Sequence, residues 1–291
     1  MQAPDALIMG EALVDIVTKP DGTTTQHAGG SAANVAVALA RLGRPVRLAT
    51  ALGDDEGARL LVEYLAADGV RLEGDPRILA TTSTAHATLA ADGSASYDFD
   101  LEWRLGAVDL GRPRVVHVCS LGAVLAPGAD DVLRLLEGVS PEVLVSYDIN
   151  ARPSITGTGP ELVACVERVA RRAHLVKASD EDLGILYPAL SLEAAVRRLL
   201  GLGPDVVVVT QGAAGARWFG ADGIIATVPA TQVAVVDTIG AGDTFAAALL
   251  DALWDDRKHD PREVLAHAVG AAAVTVSRAG AHPPYRHELN G

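Results

Sequence analysis

Lysine is scarce in this 291-residue chain: it occurs at Lys19, Lys177 and Lys258, and Lys+Arg total 24 against 37 Asp+Glu, a formal charge of −13. Duplex nucleic acid and anionic membranes both need a clustered basic surface, so a balance this acidic excludes them as partners. Any small anion must therefore be held by a local device. Cysteine is nearly missing as well. Cys119 and Cys165 sit in apolar surroundings without C-x-x-C spacing, which excludes a disulfide framework or zinc site and reads both as small buried hydrophobes. No uninterrupted apolar run of about 18 residues occurs, and no basic segment precedes an apolar one at Met1, so the expectation is a cytoplasmic protein. With 49% apolar and 21% charged residues the chain has ordinary globular composition and is expected to fold.

What the chain has in quantity is alternation of short β-branched runs with helical patterns. From residue 110 onward, residues 115–120, 143–149, 175–179 and 205–210 read as strands, each apolar along its length, as strands covered on both faces are. Helical patterns lie between them at 130–137, 160–172 and 192–202, and two Ala-rich helices follow residue 240 and end near Ser277. The N-terminal part adds strands at 7–10 and 46–52 and helices at 32–42 and 57–68. This order predicts an α/β body on a parallel sheet, as one domain over residues 1–291.

Two stretches break the rhythm. Residues 15–27 contain Asp21-Gly22 and residues 78–103 contain Asp92-Gly93, both flanked by Thr-rich alternation. Asp-Gly tolerates the φ > 0 that a type I′ turn requires, so each reads as a hairpin. Together they predict a small separate β-sheet from about residues 12–28 and 72–105, either a lid or a surface hairpin with no moving part.

The most informative segment is residues 235–250, where a strand-like run ends at Asp237 and Gly240-Ala241-Gly242 leads into an apolar helix. The first turn of a helix leaves N–H groups unbonded and carries about half a positive charge, which makes an anion cradle. Asp243 falls just inside that helix, poorly placed to bind the anion and well placed to take a proton from a hydroxyl attacking it. The plainer alternative is a tight turn with Asp243 complementing the helix dipole. The GxxxxGK[ST] pattern is absent, and the third glycine of GxGxxG would fall on Phe245, so the segment is neither a P-loop nor a dinucleotide fingerprint.

A second glycine cluster runs from His27 through Gly29 and Gly30 to Asn34, at a hairpin–helix junction. Gly29-Gly30 lets a small ligand lie against the main chain, Asn34 offers both a donor and an acceptor, and Asp15 adds an acceptor at the end of the first strand. Polyol hydroxyls need such a mixture. Taken singly, Asn34 on a helix surface and a solvated Asp15 are equally ordinary.

Gly29-Gly30 with Asn34, and Asp237-Thr-Ile-Gly-Ala-Gly-Asp243, resemble in order and spacing the two signature regions of the ribokinase-like (PfkB) family of sugar and nucleoside kinases, over about residues 7–284. The resemblance implies a Rossmann-like three-layer α/β sandwich of the ribokinase-like fold with a β-sheet lid, ATP with Mg2+, and phosphorylation of a sugar hydroxyl. It further implies Asp243 as the base, the amides of Gly240, Ala241 and Gly242 as the anion hole, and Asp15, Gly29, Gly30 and Asn34 as sugar contacts. Asp148-Ile-Asn150-Ala-Arg152 resembles the D-x-N-x-R segment of fructokinase-like and ketodeoxygluconate-kinase-like members, implying Asn150 at the sugar and Arg152 near the phosphates. A guanidinium can bind phosphate bidentately, while Arg152 in a surface ion pair is the alternative.

Thr210-Gln-Gly212-Ala-Ala-Gly215 resembles the strand-end nucleotide loop of the family, and Lys177 and Ser179 are expected to join it on the nucleotide side, Lys177 approaching a phosphate, with a solvated strand-end lysine as the plainer alternative. Where many members have Asn-x-x-Glu this chain has Ser179-Asp-Glu-Asp182, and the shorter Asp182 is expected to reach Mg2+ through a bound water. The last helix, with Val269, Ala272 and Ala273, and the loop at 278–284 resemble the adenine-side wall; simple Ala-rich packing explains them equally well. In some relatives K+ lies between that loop and the strand end near Asp237, and this point stays open. The segments at Asp148–Arg152 and Ser179 tilt the expectation toward a fructokinase-like enzyme, with ribokinase or ketodeoxygluconate kinase next. A nucleoside kinase is less favoured because the first half has few aromatics to stack on a base. From a different class, a catalytically silent sugar sensor on the same fold is disfavoured by the intact Gly-Ala-Gly-Asp243. An open lid edge needs covering, so a homodimer through the lid is also expected.

Overall fold

The computed structural model describes residues 5–90 and 94–289. β1 (Ala6–Met9) leads to β2 (Leu13–Thr18), β3 (Thr24–Gly29), α1 (Ser31–Arg41), β4 (Val46–Ala49), α2 (Glu56–Ala67) and β5 (Arg71–Leu72). β6 (Thr84–Leu89) and β7 (Ala95–Asp100) precede β8 (Val115–Cys119), α3 (Ser120–Val124), α4 (Gly128–Glu137), β9 (Leu144–Asp148), α5 (Pro153–Thr156) and α6 (Pro160–Ala170). Then come β10 (Leu175–Ser179), α7 (Asp180–Leu186), α8 (Leu192–Leu200), β11 (Val206–Thr210), β12 (Ala216–Gly220), β13 (Gly223–Val228), α9 (Ala241–Ala252) and α10 (Pro261–Val276).

The large sheet has the order β13-β12-β11-β10-β9-β8-β1-β4-β5, parallel from β11 through β5 and antiparallel at β12 and β13. Its central strands are mainly apolar because each face is covered by helices, and the polar side chains they do carry, His117, Ser146, Asp148 and Lys177, are buried. In β1, Ala6 and Ile8 join the core shared with α1, α9 and α10, while Leu7 and Met9 join the core shared with α4, α6 and α8. The same period-2 split divides Val208 from Val207 and Val209 in β11. The α/β body expected from the alternation forms, with the three layers that the resemblance implies. Among the described residues no helix is long and apolar enough to cross a membrane.

The second sheet, β3-β2-β6-β7, is the small lid-like sheet. Its strands span residues 13–18, 24–29, 84–89 and 95–100, whereas β5 at 71–72 edges the large sheet and Leu52 bridges Arg77 in the body. The hairpin at Asp21-Gly22 is present but its turn is not type I′. Gly22 takes φ 83° while Asp21 does not enter the positive region, and Lys19 accepts from Gly22 N at 2.9 Å and donates to Thr23 O at 2.8 Å. This is a type I turn led by Pro20 and closed by a left-handed glycine, a three-residue solution that Pro at that position favours. The Asp92-Gly93 turn lies outside the described residues.

Three further differences have physical causes. Residues 235–236 form no strand: Val235 and Val236 are exposed, and Val236 and Asp237 both turn their amides to Val276 O instead of a ladder. β12 and β13 add an unanticipated antiparallel edge, joined through Asp222-Gly223, with Gly223 at φ 111°. Cys119 is buried as expected, but Cys165 is only half-buried.

Candidate active site

Glu11 follows β1, Ser120 follows β8, Asn150 follows β9 and Asp180 follows β10, so neighbouring parallel strands deliver their C-terminal ends to one edge of the sheet. The chain leaves β1 for β4 on one side and later places β8 on the other, and such a reversal opens a crevice for ligands. Helix α9 points its N-terminus there. Gly240 caps it at φ 74°, and a Cβ on Gly240 would stand 2.7 Å from Ala281 Cβ, so both backbone and packing demand glycine. The amides of Gly240, Gly242 and Asp243 have no acceptor among the described residues, whereas that of Ala241 leans to Thr238 O at 3.3 Å. The free donors are thus grouped around Gly242.

Asp243, third residue of α9, is 6% exposed. Its Oδ1 accepts from Ser31 Oγ at 2.7 Å and its Oδ2 from Asn34 Nδ2 at 2.9 Å. Asn150 Nδ2 donates to Ser31 Oγ at 3.0 Å and lies 3.5 Å from Asp243 Oδ1. Asn150 holds that position with φ 39°, and Ser120, at φ 48°, donates its hydroxyl to Asn150 O at 3.1 Å. Left-handed backbone at two non-glycine residues costs about 1–3 kcal/mol each and persists because the surrounding contacts fix it. Asn34 Oδ1, buried, has no hydrogen-bond partner among the described residues and is a spare acceptor.

Asp15 does not end the first strand; it lies in β2 of the second sheet, facing the cleft beside Gly29. A Cβ on Gly29 would come within 2.0 Å of Asp15 Oδ2, and Gly30 sits at φ 98° against Glu11 O. Burial pushes the Asp15 carboxyl up to about 6, partly offset by the charges of His27 and Arg152. Arg152 is exposed, donates to Ala151 O at 3.1 Å, and is close enough for its charge to act on Asp15. Glu11 is buried and accepts from Ser31 N at 3.2 Å and Gly122 N at 3.0 Å; burial still pushes its carboxyl up to about 7.

Lys177, which a strand-end position would leave solvated, is buried. Its ammonium donates to Asp148 Oδ2 at 2.8 Å and lies 3.1 Å from where a Cβ on Gly242 would stand, directly under the first turn of α9. Burial works against its charge, but Asp148, then Asp182 and Asp243, outweigh it and hold the ammonium above its usual value. Burial also pushes Asp148 up to about 7 despite the pull of Lys177. Both shifts describe one ammonium shared by several carboxylates, and Lys177 is the charged member. Asp148 Oδ1 is buried and unpartnered among the described residues.

Ser179 and Asp182 form a reciprocal cap on α7: Ser179 Oγ accepts from Asp182 N at 2.9 Å and Asp182 Oδ2 from Ser179 N at 2.7 Å. Asp182 Oδ1 also accepts from Ala151 N at 2.8 Å, tying the loop that carries Asn150 and Arg152. No cluster of three or more His, Cys, Asp or Glu able to hold a metal occurs among the described residues. Thr210 lies level with Ser179 in the sheet, and Gly212 at φ 49° and Gly215 at φ 93° turn the chain from β11 into β12. On α10, Val269 is buried and Ala272 half-buried. Asp237 accepts from Ile239 N at 3.0 Å and Gly280 N at 2.8 Å, which pins the loop after α10 beside Gly240.

The structure therefore gathers Asn34, Asn150 and Asp243 into one hydrogen-bonded group, sets Lys177 beneath Gly242, and places Asp15 at the cleft with the charge of Arg152 acting on it. Ser31 and Glu11 belong to the group and were not singled out from sequence; the signal available was a hydroxyl between Gly30 and Asn34 at the first position of a helix.

A family model for pfkB family carbohydrate kinases matches residues 4–288. A fructokinase of Rhizobium leguminosarum bv. trifolii is 34% identical over 273 residues, covering 89% of this chain and 82% of that protein. An aminoimidazole riboside kinase of Salmonella typhimurium is 31% identical over 303 residues, covering 97% and 93%. The crystal structure of fructokinase with bound ATP from Xylella fastidiosa matches with a TM-score of 0.84 at 28% identity, covering 98% of this chain and 97% of that one.

Proposed function

Because the chain belongs to the pfkB family of carbohydrate kinases, we propose that it transfers the γ-phosphoryl group of ATP to a hydroxyl of a small sugar, fructose first among the candidates, with Asp243 as general base. The observation that supports this most is the placement of a buried carboxylate at the N-terminus of α9 beside unbonded amides. The sugar hydroxyl attacks the γ-phosphorus in line, its proton passes to Asp243, and the bond from phosphorus to the β-phosphate oxygen breaks to release ADP. A positioned base contributes about 10²–10⁴-fold. The amides around Gly242, with Lys177 below them, face the charge of the transferring group, the term that is usually larger.

Gly29, Gly30, Asn34 and Asn150 offer the sugar backbone access and donors, and Asp15 an acceptor, while Arg152 flanks Asp15. On the nucleotide side, Ser179, Thr210, Gly212, Gly215, Val269 and Ala272 form the wall assigned to ATP. Asp148 Oδ1, a buried acceptor without a partner among the described residues, and the further lone pairs of Asp182 suit magnesium, which needs only one or two carboxylates beside phosphates and waters. Bound there, Mg2+ would offset phosphate charge. Closure of the second sheet over the sugar would exclude water as a competing acceptor. Its outer strand β7 exposes Tyr97, 64% accessible and stacked on Phe99 at 6.1 Å, and a second copy covering that face makes the homodimer.

An ADP-release assay over fructose, ribose, ketodeoxygluconate, tagatose, inositol and nucleosides, with Mg2+ and with or without K+, tests the reading. Highest kcat/KM on fructose supports it; ribose, ketodeoxygluconate or a nucleoside would transfer it to that acceptor, and silence on all would favour a sugar sensor.

A further inference from the structure

The polar group around Asp243 contains a hydroxyl with a fixed direction. Ser31 Oγ has one proton to give. Asn150 Nδ2 donates to that oxygen at 3.0 Å, so the Ser31 proton points away from Asn150, and Asp243 Oδ1 receives it at 2.7 Å. That length is typical of a hydroxyl on a charged oxygen. The Ser31 main chain is fixed as well: its amide, one of the orphan donors at the start of α1, is taken by Glu11 Oε1 at 3.2 Å, and Glu11 is itself anchored to Gly122 N. Ser31 thus ties three separate pieces of chain, the loop after β1, the loop after β9 and the N-terminus of α9, to one carboxylate.

We propose that Ser31 is the positioning residue of the base: it occupies Oδ1 of Asp243 as a locked donor, orients the carboxylate, and leaves the second lone pair of Oδ2, on the Asn34 side, to receive the proton of the attacking hydroxyl. No bond of Ser31 changes in the reaction; the proton moves from sugar oxygen to Asp243 Oδ2. The inference rests on Asp243 being the base. Removing the Ser31 hydroxyl frees the carboxylate to rotate about its Cβ–Cγ bond and withdraws a donor from its ionised form, which disfavours that form. Charged or titratable groups facing this carboxylate from the packed elements are Glu11 after β1, Tyr64 on α2, Cys119 on β8, Asp148 on β9 and Lys177 on β10. Burial pushes Glu11 and Asp148 each up to about 7, so the effect of Ser31 is read as a difference between variants.

The test is Ser31→Ala beside Ser31→Thr, with Asp243→Asn as reference. Ser31→Ala should lower kcat about 10- to 100-fold, the worth of one hydrogen bond to a charged group, with KM for sugar and ATP within twofold. The acidic limb of its kcat/KM profile should move to higher pH, and Ser31→Thr should restore both. In the substrate-free protein, the urea midpoints of Ser31→Ala, Asp243→Asn and the double variant should be non-additive. A Ser31→Ala enzyme with an unmoved limb, or with lost stability alone, overturns the proposal, as do additive midpoints. Normal wild-type turnover with such a result overturns the role of Ser31 alone; a wild type silent on every acceptor overturns the kinase reading and this role with it.

Discussion

Gly242→Ala isolates the contribution of the buried ammonium. The added Cβ would stand 3.1 Å from Lys177 Nζ, closer than ordinary contact, and Lys177 cannot swing freely because Asp148 holds it at 2.8 Å in a buried pocket. The methyl group therefore either lengthens the ion pair or tilts the first turn of α9. Two terms set the stability change. Alanine in place of glycine in a helix gains about 0.5–1 kcal/mol, and overpacking costs about 1–3 kcal/mol, so the net loss is roughly 0–2.5 kcal/mol. The kinetic effect is larger, because the methyl lies between the ammonium and the cradle that faces the transferring phosphoryl group. Loss of one preorganised donor of this kind lowers turnover by about 10²–10³-fold. Steady-state ADP release at saturating ATP and sugar, with urea unfolding of the same samples, reads both quantities. Gly184→Ala is the control: it is exposed within α7, nothing lies within 4 Å of its added Cβ, and it should gain about 0.5–1 kcal/mol with turnover unchanged. Turnover of Gly242→Ala within threefold of wild type would refute the placement of Lys177 in the phosphoryl site.

The Asp15 carboxyl, held at about 6 by burial, carries a proton in the folded state that the unfolded chain releases near pH 4. Its contribution to stability is therefore greatest at the acid end and falls as pH rises from about 4 through 6, so the stability difference between wild type and Asp15→Asn should decline across that window and level off above it. The apparent KM for sugar should rise as pH falls below 6, because protonation removes an acceptor; a flat KM would detach Asp15 from the sugar. Sugar binding should slow hydrogen exchange in β6 and β7 while leaving β8 unchanged, and unaltered exchange in β6 and β7 would argue against a moving lid.

The parallel body was legible because strands covered on both faces run almost continuously in apolar residues, as Val206–Val209 of β11 do and as β8 does apart from His117, and because the linking helices carry one apolar face. The two glycine motifs were legible for a different reason: Gly30 and Gly240 occupy backbone conformations that side chains resist, so the need shows in residue type. The edge pair β12 and β13 escaped notice although Asp222-Gly223 marks its turn, since Arg217, Ile224 and Ile225 give no clean alternation. Val235-Val236 reads as a strand by propensity, but among the described residues it pairs with no strand and Val236 bonds to Val276 O at the end of α10, so tertiary placement overrides propensity. The partners of Asp243 were harder still. Ser31 lies 212 positions away and Asn34 209, and the direction of a hydroxyl depends on Asn150 from a third segment. Lys177 next to a strand end gives no local sign of burial; only the assembled sheet, with Asp148 on the adjacent strand, shows that its charge is paired.

The most direct measurement is single-turnover phosphoryl transfer by Asp243→Asn, with sugar and ATP binding measured on the same protein by calorimetry. The substitution keeps the shape of the side chain and removes its capacity to accept the proton. Binding of both ligands close to wild type, with transfer slowed at least about 10²-fold, is the predicted result. Transfer at a near-wild-type rate would contradict the assignment of Asp243 as the base.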